Sequence, residues 1–139
     1  MASILYNSML HDISVGAIDY DTDSFKCMLV TSSYTPSKSH SKRSDITNEV
    51  TGTGYTAGGN VATPTVAAVN NTSNLQDISW VITGWSSSTI TARAGVVYKA
   101  RGGSSTLDEL VGYLDFVTDQ SSSGGTFTVT VGTPLRLQN

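Results

Sequence analysis

A single cysteine, Cys27, stands in a chain of 139 residues, so no internal disulfide can form and packing alone must hold the fold. Charge is scarce: 8 Lys and Arg face 11 Asp and Glu, which together make 14% of the chain and leave a net charge of -3. So weak and slightly acidic a balance gives no electrostatic footprint for nucleic acid or for an anionic membrane. No apolar run approaches the about 20 residues of a membrane-spanning helix. The start, Met1 to Leu10, lacks the basic flank and long apolar centre of a secretion signal, so synthesis in the cytoplasm is expected. There are two histidines, His11 and His40, far apart and neither beside a second ligand at a metal-binding spacing, so no zinc site is expected.

What the chain has instead is hydroxyl: 20 Ser and 19 Thr against 38% apolar residues. Thr is stiff at its β carbon and packs well on a pleated strand, whereas the Lys, Glu and Arg that coat surface helices are few. Aliphatic and aromatic residues recur in every segment after the first few, which excludes a disordered chain, and the length suits one domain. Cys27 lies in an apolar run and reads as a small core residue.

Along the chain, Ile4, Leu5, Met9, Ile13 and Val15 recur at helical spacing and Gly16 follows as a stop, which predicts one amphipathic helix between Ile4 and Ile18. Asp19 to Asp23 is turn chemistry, and Phe25 to Thr31 is a strand. Ser32 to Ser44 is polar, Asp45 to Val50 is a helical turn or short extended piece, and Gly52 to Gly59 must turn sharply or approach another backbone closely. The whole stretch 32–60 is expected to be a long surface loop or arm used in assembly. Two-residue periodicity then marks strands at Val66 to Val69, Ile78 to Ile82, Ile90 to Tyr98, Leu110 to Val117 and Thr126 to Val131, with a turn at Ser121 to Gly125 and a last piece at Leu135 to Leu137. The fold class predicted is mainly β: an antiparallel sandwich, jelly roll or partly closed barrel with one short N-terminal helix, in a single domain spanning 1–139.

No catalytic pattern in the sequence is complete. Asp19, Asp21 and Asp23 imitate the first half of a calcium loop, but Ser24 replaces the needed glycine and Val30 stands where the closing glutamate should be. Gly52 to Ala57 fits a loose dinucleotide fingerprint without the strand before it or the helix after it. No Gly-x-Ser-x-Gly elbow marks a nucleophile, and Asp108 and Glu109, adjacent in sequence, should point apart on a strand. No enzyme, cofactor or metal is therefore expected. The one basic cluster, Lys38, Lys42 and Arg43, reads as a solvated loop between Ser residues. Trp80 and Tyr98 alternate with aliphatics and should be core. Tyr55, in its glycine loop, and Trp85, beside Gly84 and a serine run, are the candidates for protein contact, together with Lys42 and Arg43.

Two stretches, Ile18-Asp19-Tyr20-Asp21-Thr22-Asp23-Ser24-Phe25-Lys26-Cys27 running on to Tyr34, and Asp45-Ile46-Thr47-Asn48-Glu49-Val50-Thr51-Gly52-Thr53-Gly54-Tyr55 running on to Gly59, with the later Ser88-Thr89-Ile90-Thr91-Ala92-Arg93, resemble a family of small structural proteins of tailed bacteriophages. The resemblance implies a virion component, non-enzymatic, and most closely a capsid decoration or cement protein bound outside the head shell to the major capsid protein or another virion protein, as a dimer or trimer. A tail, neck or fibre component of the same virion is the alternative. No catalytic residues come with the resemblance.

Overall fold

The computed structural model describes residues 2–138. Its strands are β1 (Ile4–Leu5), β2 (Phe25–Val30), β3 (Asn60–Val66), β4 (Leu75–Ile82), β5 (Trp85–Lys99), β6 (Leu110–Phe127) and β7 (Leu135–Gln138), with an α-helix, α1 (Asn7–Ser14), and a short 3-10 turn at Arg43–Asp45. They form one antiparallel sheet in the order β1-β6-β5-β2-β3-β4-β7. The predicted mainly β, antiparallel fold with a short N-terminal helix is the one observed; the sheet rolls but does not close.

β2 sits at the centre because its sequence is apolar on both faces. Phe25, Cys27 and Leu29 point into the larger core with Ile78, Ile82, Trp85, Ile90 and Phe127. Met28 and Val30 point the other way, into a second core with Tyr6, Tyr34, Val96, Tyr98, Leu110 and Tyr113. A strand buried on both sides reads as a continuous apolar run rather than an alternation. Trp80, partly buried, sets its ring edge-on to Phe25 and Tyr20, with centroids 5.2 and 5.6 Å away.

Four boundaries differ from the sequence reading. The helix is shorter, because Ile4 and Leu5 pair with Tyr113 and Gly112 and the Tyr6 amide bonds the Val111 carbonyl while its ring is fully buried. Burial of that ring outweighs helical spacing upstream of it. β3 begins at Asn60 and ends at Val66, so the expected Val66 to Val69 strand is mostly the following loop. Pro64 is tolerated inside β3, opposite Trp80. The expected turn at Ser121 to Gly125 is strand instead: Ser121 and Ser122 bond the hydroxyls of Thr91 and Ser88, each at 2.7 Å, and Gly124, at φ 70°, forms a bulge between the Ser88–Gly125 and Thr89–Ser123 pairs. Finally, of the expected Thr126 to Val131 strand, Phe127 ends β6 and Thr130 makes a single bridge to Val81.

β6 carries a larger irregularity higher up. Ala92 opposes Gln120 and Ala94 opposes Asp115, so Arg93 faces four residues, Phe116 to Asp119. Val117 sits there at φ 70°, a strained conformation for a β-branched side chain, and 72% exposed. Arg93 reaches back to the buried Asp115 carboxylate at 3.1 Å and fixes the bulge.

Gly59, at φ 77°, lets the end of the 31–59 segment enter β3 directly against β2: a β carbon there would overlap the Cys27 carbonyl and crowd the Met28 α carbon. Both atoms are backbone and cannot yield. Gly59→Ala should lower stability by about 3 kcal/mol or more, read as a shifted urea midpoint, whereas Gly103→Ala, which meets nothing within 4 Å, should leave it within about 0.5 kcal/mol.

Candidate functional site

The segment between β2 and β3, expected to be an arm, is a surface segment fastened along its length. The Asn7 amide bonds the Lys38 carbonyl, the Leu110 amide that of Ser41, and the Arg43 amide that of Asp108. Val30 then bridges Glu49, and Thr53 bridges Thr89. The segment covers the second core, adding its own Tyr34 to it, and without that cover Tyr6 and Tyr98 would face water.

Its anchor is an ionic cluster. Arg43 Nε donates to Asp108 Oδ2 at 2.7 Å, Lys42 Nζ to Glu109 Oε1 at 3.2 Å, and Arg101 binds Glu109 with Nε and one terminal nitrogen, each at 2.9 Å. The Arg101 amide donates to the other Asp108 oxygen, Oδ1, at 2.9 Å. The carboxylates are 2% and 5% exposed as residues, so they are bearable only because each is paired and hydrogen-bonded. Arg43 also lies over the Tyr98 ring, 5.2 Å from its centroid. Burial alone would raise the Glu109 pKa, but hydrogen bonds from Arg101, its own backbone and Lys42 overcome that and hold it at about 2, below the ordinary 4.5.

Of the four candidates for protein contact, Lys42 and Arg43 are thus engaged within the chain, partly exposed rather than free. Tyr55 is half-buried: its hydroxyl accepts from the Leu29 amide at 3.0 Å and donates to Glu49 Oε1 at 2.7 Å, and Glu49 also takes the Gly58 amide. Trp85 is a core residue, 2% exposed, with Tyr55 stacked at 6.0 Å and Phe127 edge-on at 6.1 Å. Gly84 and the serines beside it suggested a surface position, but the pleat at the start of β5 turns the indole inward. Asp108 and Glu109, set aside on sequence, prove to be the anchor. A visible signal was present in the two adjacent cations at 42 and 43, which match two adjacent anions in an antiparallel bridge.

The remaining motifs resolve locally. Asp19 takes the Asp21 amide on its own side chain, Asp23 takes the Asp19 amide, and Lys99 binds Asp23 at 2.7 Å, so a lysine sits where a cation would be sought. Gly52 to Ala57 leads through Gly58 and Gly59 into β3 rather than into a helix.

Two surface features remain. The outer face of the β5–β6 ribbon is exposed hydroxyl, with Thr89, Thr91, Ser121 and Ser123 side by side. Between β1 with the start of β6 on one bank and β7 on the other lies an open groove of about 270 Å³, lined by Ile4, Leu5, Trp80, Leu114, Val131 and Leu135. No family model, curated protein or solved structure matches the chain.

Because Glu109 has a folded-state pKa depressed to about 2, its contribution is complete above 4.5 and is lost as pH falls toward 2. Unfolding free energy should therefore fall across that window, and Glu109→Gln should flatten the fall while costing about 1–3 kcal/mol at neutral pH, measured by denaturant titration at a series of pH values. Tyr55→Phe, which strands the Leu29 amide and leaves Glu49 with the Gly58 amide alone of its two donors, should cost about 1–3 kcal/mol in the same assay.

Proposed function

We propose that this chain is a non-enzymatic structural protein of a bacteriophage virion, a decoration or cement protein that docks as a homo-oligomer on the outside of the head shell and stabilises contacts between capsomers. The sequence resemblance names the class. The observation that carries the reading here is how the polar groups are spent. The buried carboxylates Asp108, Glu109 and Asp115 are bound by Arg43, Arg101, Lys42 and Arg93, fastening loops and bulges. What the surface offers to a partner is hydroxyls and free strand edges. Such groups make many weak, short-range contacts, and an array of copies sums them into a stiff layer.

Counting copies of the chain per purified particle, against the major shell protein, by quantitative mass spectrometry tests this. A number of the same order as the shell protein is expected. About a dozen or fewer would move the protein to the neck or tail, and its absence would sink the virion reading.

A further inference from the structure

The groove has an unusual boundary. Every neighbouring pair in the sheet is antiparallel, and six such links separate β1 from β7, so these two outermost strands run in the same direction. Among the described residues each has a strand partner on one side only: β1 pairs with β6, and β7 with β4. Ile4 and Leu5 of β1 and Leu135 and Arg136 of β7 line the groove. β1 and β7 could join directly only as a parallel pair, which would break the alternation. One more strand, running against both, would pair antiparallel on either side and give eight, the even number that an all-antiparallel ring requires.

We propose that this groove receives an extended segment of a partner protein as an eighth strand, running opposite to β1 and β7. Its length is set by β7, about four residues at 3.3–3.4 Å each. Its chemistry is set by the lining. Trp80, Leu114, Val131 and Leu135 call for apolar side chains at the inward positions, and Arg136, the one charged residue at the groove among the described residues, is already held by Asp77 at 2.7 Å. Alternation then makes the outward residues polar. The other open edge of the sheet, β6 beyond Tyr113, is a poorer acceptor, since the Phe116 to Asp119 bulge and the Gly124 bulge interrupt its hydrogen-bonding row. This inference deepens the docking role proposed above and rests on the chain acting through a protein partner, whichever protein that is.

The probe is a blocked hexapeptide alternating threonine and valine, added in excess to the full chain, with backbone amide exchange read by mass spectrometry. Exchange should slow about tenfold at 3–5 and 135–138 while 118–126 is unchanged, and a peptide with serine in place of valine should have no effect. Leu135→Lys and Val131→Lys, each checked for an unchanged exchange pattern in β2, should abolish the slowing. No slowing, equal slowing along β6, or indifference to both lysines would overturn the proposal. The virion reading fails separately: a chain that takes the peptide but is missing from particles keeps the groove and loses the shell. A chain abundant on particles whose β1 and β7 amides exchange as fast bound as free loses the strand insertion.

Discussion

The pairing of Lys42 and Arg43 with Glu109 and Asp108 is the constraint on which most of the molecule depends. β2 is apolar on both faces, so a single sheet is not enough to bury it, and something must cover the side away from the main core. The connection from β2 to β3 supplies that cover, and it is polar, long and poor in secondary structure. Such a segment loses much conformational entropy on ordering and offers little apolar area in return. The ionic cluster offsets this by fixing the segment where it passes the start of β6, and Arg101 clasps the same carboxylate from the far side. Buried pairs of this kind give specificity more than stability, since their desolvation consumes much of their attraction. Here the specificity is topological: one arrangement of the segment satisfies all four groups.

The rest of the fold follows from that arrangement. With the cover in place, Glu49 lies within reach of the Tyr55 hydroxyl and the Gly58 amide, Tyr98 bonds the Gly58 carbonyl at 2.7 Å, and Gly59 turns the chain into β3 against β2. The other side of the sheet is then free to roll around the larger core. Its roll stops one strand short, with the groove between β1 and β7 as the result.

How much of this was legible in the sequence differs from element to element. β2, β4 and the part of β5 from Ile90 on were visible, because a half-buried strand alternates and a fully buried one is a short apolar run between turn residues. The end of α1 was visible in Gly16. β6 was visible only in its first half, Leu110 to Val117, because Ser121 to Gly125 has turn composition, and only the hydroxyl partners on β5 reveal that serines and glycines there continue the strand. Tyr6 pulled the first residues out of the helix through a contact with Tyr34, at 3.1 Å between hydroxyls, that no local pattern encodes. Among the contact candidates, Trp85 was misplaced because neighbouring glycine and serine describe the backbone, not the direction of the ring. The carboxylates at 108 and 109 were misjudged because long-range charge pairing has no period.

Cys27 belongs to the strand that everything else surrounds. It is fully buried, and burial pushes its thiol up to about 12, so in the folded protein it is shielded both from collision and from ionisation. The chain therefore contains its own clock for opening. Any reagent that marks this sulfur must wait for the larger core over β2 to open, and the rate of marking records how often that core comes undone, with fraying at the rim leaving no trace.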